Sequence, residues 1–280
     1  MNSVRTVGIG ASELLYVSQL VHKHSAVTLD PGKEWFVESR LAPLVEHAGL
    51  ASTSELIATL RARPFGCLHK QAIEALMTQE TSFFRDLYPF EALQKRILPE
   101  LIAARGPQRS LQLWSAACAS GQEPYSLAML IRDGFPMLND WSVRILATDI
   151  SSEMLERTRA GTYNQVEVNR GLPAAMLVKH FEKQDKPWRV NDHLRRMIEL
   201  RQLNLAAEWP SMPSMDVIFL RNVLIYFDIA TKKSILAKIR RLLRPDGYLV
   251  LGSAETTFHL DPSFEPVKVE RTICYKLRGG

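Results

Sequence analysis

Beyond the Gly106-Pro107 break, short apolar runs alternate with longer helical stretches, and this alternation leaves few folds open to the chain. Residues 111–115, 143–148, 215–220 and 248–252 have strand length and strand composition. Residues 121–132, 151–160 and about 229–243 read as helices between and after them. Strands and helices at this spacing predict a parallel, doubly wound sheet. The end differs: residues 264–269 and 272–277 predict an antiparallel hairpin at the sheet edge. Residues 181–190 and 197–203 interrupt the alternation with short strands and polar turns. The last of these is expected to rejoin the main sheet, and the earlier ones to form a small β excursion beyond it.

Residues 11–95 show no comparable strand signal. Ser12 precedes apolar residues at helical spacing. After Pro31, the residues Trp35, Phe36, Leu41, Leu44 and Val45 can share a helix face. Ser52 with Glu55 fits a capping box for a third helix. A fourth is expected over 70–77 and a long one over about 89–104. The predicted division is a helical domain over 1–90 and a larger α/β domain over 91–280, with the β excursion at about 180–200.

Composition narrows the function classes. No stretch approaches the roughly 18–20 uninterrupted apolar residues of a membrane helix; Met215 to Phe227 is broken by Asp216, Arg221 and Asn222. No signal-peptide pattern opens the sequence. Cys67, Cys118 and Cys274 are odd in number and far apart, so neither a disulfide framework nor a metal spacing is expected, and the seven histidines do not cluster either. A cytoplasmic protein with reduced thiols follows. The net charge of +5 permits an acidic partner without choosing one. Runs such as Lys232-Lys233 suit a solvated helix side.

In an open parallel sheet the ligand lies past the carboxyl ends of the strands, where strand order reverses. The loop after the first strand, residues 115–123, has small side chains that let a ligand approach the backbone. The second strand ends in Asp149, whose carboxylate can accept hydrogen bonds from both hydroxyls of a ribose. The alternative for Asp149 is a plain helix cap ahead of Ser151-Ser152. G-x-G-x-x-G is absent, which disfavours a pyrophosphate ligand and a nicotinamide enzyme. A nucleoside without phosphates fits better, and S-adenosylmethionine is one. Arg221 and Asn222 close the strand 215–220, where burying them without partners is costly.

Five segments in order carry a resemblance: Glu80-Thr-Ser-Phe-Phe-Arg85, Trp114-Ser-Ala-Ala-Cys-Ala-Ser-Gly-Gln-Glu-Pro-Tyr-Ser126, Ala147-Thr-Asp-Ile-Ser151, Arg221-Asn-Val-Leu-Ile-Tyr-Phe-Asp228 and Leu243-Arg-Pro-Asp-Gly-Tyr-Leu249. Together they resemble the successive motifs of the CheR family of chemoreceptor glutamate O-methyltransferases, over nearly the whole chain. The resemblance implies a Rossmann-like α/β methyltransferase domain with a small inserted antiparallel β subdomain, preceded by an all-helical domain. It implies cofactor contacts from Gln79, Thr81, Arg85, Glu123, Asp149, Asn204, Leu205, Arg221 and Asn222. Gln79 stands where relatives often have Asn. The implied cofactor is S-adenosylmethionine, with S-adenosylhomocysteine as product and no metal.

Plainer roles exist for several of these residues. Thr81 and Ser82 can cap a helix. Phe83 and Phe84 suit packing better than stacking on adenine. Glu123 gains from its helix dipole, and Asn204 can be a turn residue.

The implied reaction moves a sulfonium methyl to a glutamate carboxylate, which is ionised near neutral pH and needs no general base. Arg85 is the candidate for orienting the incoming glutamate, and Tyr226 for positioning near the methyl. Packing beside Phe227 is the competing role for Tyr226.

The implied partners are the cytoplasmic methylation helices of chemoreceptors, with no nucleic acid and no membrane insertion. Two features depart from the family. Residues 33–47 set Lys33, Arg40 and His47 against Glu34, Glu38 and Glu46, so a strongly basic docking helix is missing. The turn Gln184-Asp-Lys-Pro-Trp188 is short and lacks glycine, so docking independent of a receptor C-terminal pentapeptide is expected. A carboxyl methyltransferase of another signalling protein, and a cofactor-binding signalling module without turnover, stay open.

Overall fold

The computed structural model describes residues 8–279, so the first seven positions of the expected helical domain and Gly280 lie outside the described residues. The chain divides into two compact units. One holds the described residues up to Thr78 together with Tyr226–Asp228, and the other holds Gln79–Ile225 and the described residues from Ile229 onward.

The first unit is helical: α1 (Ala11–Ser25), α2 (Glu34–His47), α3 (Thr53–Ala62) and α4 (Cys67–Ala75). In α1 the buried residues Leu14, Val17 and Val21 recur at helical spacing. At its start Gly10 N–H donates to the Glu13 carboxylate (2.7 Å). In α3 the Ser52 hydroxyl accepts from Glu55 N–H (3.1 Å) while the Glu55 carboxylate accepts from Ala51 N–H (2.6 Å), one residue outside the usual box.

Two expectations change here. In α2 the fully buried residues are Val37 and Leu41, while Trp35 is 78% exposed. Helix α4 starts earlier than residue 70 because His69 acts as its cap partner. His69 Nδ1 accepts from Gly66 N–H (3.2 Å), and its Nε2 bonds the Leu60 carbonyl (2.9 Å). The segment Tyr226–Asp228 joins this unit through an antiparallel bridge between Phe227 and Val27 and a bond from Thr28 N–H to the Tyr226 carbonyl (3.2 Å).

The second unit opens with α5 (Tyr88–Ala92), which runs through a π turn (Leu93–Ile97) into α6 (Leu98–Arg105). Pro99 has no N–H to offer the preceding turn, and the widened π turn sits directly before it. Next come β1 (Ser110–Ala116), α7 (Gln122–Gly134), β2 (Ser142–Asp149) and α8 (Ser152–Ala160). An insertion follows: β3 (Thr162–Tyr163), α9 (Gln165–Asn169), α10 (Ala174–His180), β4 (Phe181–Lys183), β5 (Trp188–Val190) and α11 (Asp192–Arg195). The chain ends with β6 (Ile198–Gln202), β7 (Met215–Leu220), α12 (Ile229–Leu242), β8 (Leu243–Leu251), β9 (Phe264–Val269) and β10 (Thr272–Leu277).

The main sheet has the order β6-β2-β1-β7-β8-β10-β9, parallel from β6 to β8 and closed by the antiparallel β10-β9 hairpin. This is the expected doubly wound α/β sheet, and β6 rejoins it as expected. The small antiparallel sheet, β3-β5-β4, begins earlier than residue 180. Gly161 ends α8 in the left-handed region (φ 63°), which lets Thr162–Tyr163 turn back as a strand against Trp188 and Arg189.

Every residue of β7 is buried. Its start is irregular: Met215 pairs with Leu243 but Val217 pairs with Tyr248, so Arg244, Pro245, Asp246 and Gly247 stand against Asp216 alone. Gly247 is required there, because a Cβ would lie 2.9 Å from the Asp216 carbonyl.

Candidate active site

Strand order reverses between β1 and β7: β2 and β6 continue on one side of this pair and β8 on the other. The loops that follow β1, β2 and β7 therefore open side by side at one edge.

The loop after β1 is held from several directions. Cys118 N–H donates to the Thr148 carbonyl (2.9 Å), Tyr163 hydroxyl to the Ser120 carbonyl (2.7 Å) and Thr158 hydroxyl to the Ala119 carbonyl (3.2 Å). Asp149, 7% exposed at the end of β2, joins two loops. Its Oδ2 accepts from Ala119 N–H (2.8 Å) and its Oδ1 from Ser151 N–H (2.9 Å). Ser151 is the cap of α8, so Asp149 does local work ahead of that helix at the carboxyl end of β2. Burial raises the Cys118 thiol pKa well above its usual value, and the nearby Asp149 and Glu123 carboxylates add to the effect. The thiol stays protonated and unreactive.

Arg221 is the hub of the β7 loop, with 6% of its surface exposed. One terminal nitrogen donates to Glu123 (2.9 Å); the other donates to Asp86 (2.7 Å) and to the Arg85 carbonyl (2.9 Å). The ring of Phe90 lies 5.7 Å from the guanidinium carbon. The second Glu123 oxygen accepts from the Ser115 hydroxyl (2.7 Å). One ionic chain thus links the segment before α5, the start of α7, β1 and the end of β7. The Nε of Arg221 is buried and has no partner among the described residues, an unspent donor of a kind that natural structures rarely leave.

The segment 79–87 is anchored from below. Phe84 N–H donates to the Ser126 hydroxyl (2.9 Å), and Glu80 pairs with Arg170. Phe83 is fully buried edge-on against Tyr163 (5.0 Å) and Phe84 edge-on against Phe90 (5.2 Å), so both are packing residues. Thr81 and Gln79 are half-buried. Arg85, also half-buried, donates from one terminal nitrogen to the Glu80 carbonyl (3.0 Å).

In the loop after β6, Asn204 accepts from Ala206 N–H (2.9 Å), which makes it a turn residue, and Leu205 is buried. Asn222 is half-buried with φ 57°. Tyr226 is the last residue of the short helical turn Leu224–Tyr226 and belongs to the helical unit.

Two residues of this edge escape a reading of the sequence. Glu255, in the loop after β8, accepts four backbone N–H groups: Asn222 (2.7 Å), Val223 (2.9 Å), Ile225 (3.3 Å) and Gly252 (2.8 Å). Lys238 of α12 donates to the carbonyls of Leu205 and Ala207 (2.7 Å each) and lies 4.6 Å from the ring centre of Trp209. That clamps the loop carrying Asn204, and burial lowers the ammonium's pKa. The one advance signal is for Glu255, an acid just past a strand of the sheet.

Six residues of these loops, Phe84, Asp86, Leu87, Ala117, Ala119 and Asn222, hold positive φ without being glycine. Such backbone costs about 1–3 kcal/mol per residue and gathers at functional sites.

Residues 79–273 match the family described as CheR methyltransferase, SAM binding domain. The chain belongs to the CheR methyltransferase family. It is 41% identical over 263 residues to chemotaxis protein methyltransferase 1 of Pseudomonas aeruginosa, covering 92% of this chain and 95% of that one. It is 39% identical over 276 residues to the chemotaxis protein methyltransferase of Vibrio parahaemolyticus, covering 97% and 99%. It is 38% identical over 263 residues to chemotaxis protein methyltransferase Cher2 of Pseudomonas putida, covering 92% and 95%.

The cofactor of this CheR domain is S-adenosylmethionine, and the carboxyl edge fits it. Carboxylates suit hydroxyl and ammonium groups, the partnerless Arg221 Nε suits a carboxylate, and small residues line the first loop. Among the described residues no three His, Cys, Asp or Glu side chains gather as a metal would need, and no helix is long and apolar enough to cross a membrane. A cavity of about 320 Å³ lies elsewhere, lined by Tyr125, Arg159, Asp192, Arg195, Arg196, Ile198 and Leu200, none of them a candidate site residue.

Proposed function

We propose that this CheR protein converts glutamate side chains of bacterial chemoreceptors into methyl esters, with S-adenosylhomocysteine as the other product. The observation that supports this reading best is Arg221. A buried guanidinium with one donor unspent sits at the carboxyl edge of the sheet in a chain whose relatives are chemotaxis protein methyltransferases.

Bound S-adenosylmethionine supplies an electrophilic sulfonium methyl. Asp149 holds the ribose hydroxyls, and Gln79, Thr81, Arg85, Glu123, Asn204, Leu205, Arg221 and Asn222 complete the cofactor contacts. Arg85 orients the incoming glutamate. Among the described residues its guanidinium donates one hydrogen bond, to the Glu80 carbonyl, and a guanidinium has five N–H donors to offer a carboxylate. The Tyr226 hydroxyl positions near the methyl by donating a hydrogen bond, without taking a proton. A glutamate with the ordinary pKa of about 4.3 is already ionised at neutral pH, so these residues orient and do not deprotonate. Orientation carries the rate, because reacting atoms need to lie about 3–3.5 Å apart in line.

The substrates are the cytoplasmic methylation helices of the receptors, and docking needs no C-terminal pentapeptide. The tight turn between β4 and β5, closed by Gln184 N–H on the Pro187 carbonyl (2.9 Å), supports that view.

The test is transfer of labelled methyl to receptor-enriched membranes, followed by mild base. A base-labile label on receptor glutamates is expected, equal for receptors with and without their last five residues. Arg85→Ala should lose about 10²-fold in rate with an unchanged circular dichroism spectrum. A base-stable label, or near-normal turnover by Arg85→Ala, contradicts the reading.

A further inference from the structure

The turn after β7 is shaped by a carboxylate that lies 30 or more residues further along the chain. Glu255 Oε1 accepts from Val223 and Ile225 N–H, and Oε2 from Asn222 and Gly252 N–H. Four backbone donors on one carboxylate use about all of its lone-pair sites. Asn222, held at φ 57°, is a conformation that costs energy unless its surroundings impose it, and the bond from its own N–H to Glu255 is part of that imposition.

The fit is close from the other side as well. A Cβ on Gly252 would lie 2.7 Å from Glu255 Oε2 and 2.9 Å from both the backbone and the side-chain nitrogen of Asn222. The carboxylate therefore does more than neutralise orphan donors: it holds the backbone of the turn that carries the Asn222 side chain.

We propose that Glu255 is a positioning residue for the methyl-transfer site, acting through Asn222 by holding the turn Asn222 to Ile225 with its carboxylate. This rests on the proposed cofactor contact of Asn222. Glutamine cannot replace it, since its single acceptor oxygen would face four donors and its NH2 would turn against N–H groups. Aspartate keeps the charge but is one methylene short, and so should rescue in part.

Calorimetric titration with S-adenosylhomocysteine tests the proposal on the purified chain. Binding by the wild type comes first, and its failure would sink the cofactor reading itself. Given that binding, Glu255→Gln should weaken it at least tenfold, with Glu255→Asp in between. Gly252→Ala, whose Cβ would press on Glu255 Oε2 and on Asn222, should displace the carboxylate with its charge intact and reproduce the loss, so it serves even where Glu255→Gln folds poorly. The decisive comparison is a double-mutant cycle. Because Glu255 acts through Asn222, the Glu255→Gln/Asn222→Ala pair should bind within about threefold of Asn222→Ala alone, whereas Glu255→Gln/Asp149→Ala should show the product of the single losses. Wild-type affinity in Glu255→Gln, or full multiplication of its loss with that of Asn222→Ala, overturns the proposal.

Discussion

The two ends of the seven-stranded sheet use the same kinds of residue differently. At the amino end, Arg105 donates to Asp216 (2.7 Å) and bidentately to Asp246 (2.8 and 2.6 Å), and the second Asp216 oxygen takes Gln112 N–H (2.8 Å). Asp246 lies within the irregular stretch of β8 that stands against Asp216. Most of these bonds run between side chains, Arg244 Nε adds an ion pair to Asp216 (3.2 Å) without a well-formed hydrogen bond, and the result ties α6, β1, β7 and β8 together. At the carboxyl end, Asp149 and Glu255 spend their oxygens on loop N–H groups, Arg221 keeps one buried donor unspent, and six non-glycine residues hold positive φ. The amino end uses its polar groups for stability. The carboxyl end uses them to hold strained backbone in a shape that suits a ligand.

The largest expected effect breaks this comparison at the amino end. Asp216→Ala strips a buried partner from Arg105 and should cost about 3–5 kcal/mol of unfolding free energy. Urea melts measure that, and affinity for S-adenosylhomocysteine at 20 °C should stay within about twofold. A matching loss of affinity would mean that the two ends are not separate in role.

A smaller effect sharpens the comparison through pH. The hydrogen bonds from Arg105 outweigh desolvation and hold the Asp246 carboxyl pKa below its usual value. A carboxyl depressed in the folded state adds stability above its unfolded pKa of about 3.9, and that stability is lost as pH falls through the folded value. Asp246 is 42% exposed, so the contribution is about 1 kcal/mol or less. Asp246→Asn should therefore be less stable than wild type at pH 6, with the gap closing below about pH 4. A gap that widens in acid would reverse the assignment.

Much of this plan is written locally in the chain. The alternation of strands and helices reveals the sheet, and an acid closing β2 or an Arg-Asn pair closing β7 marks the carboxyl edge before any coordinate is known. What stays hidden is carried by groups that only the fold brings together. Glu255 reads as an ordinary loop acid because its partners are backbone N–H groups of a turn that ends 30 residues earlier. Lys238 lies in a helix whose basic runs suit a solvated side, yet it clamps carbonyls of the Asn204 loop. Asp216 looks like an interruption in an apolar run until Arg105 arrives from 111 residues away. Local substitutes hide as well: His69 starts α4 in place of an ordinary cap residue, and Gly161 turns Thr162–Tyr163 into a strand too short for any periodicity to show.

The central claim is that the carboxyl edge is shaped for a phosphate-free adenosyl ligand whose ribose is held by Asp149. Titration of wild type and Asp149→Ala with S-adenosylhomocysteine and with a dinucleotide tests it most directly. The account predicts that wild type binds S-adenosylhomocysteine and not the dinucleotide, and that Asp149→Ala loses about 10²-fold in affinity, about 2.7 kcal/mol. Equal binding by the variant, or preference for the pyrophosphate ligand, would contradict it.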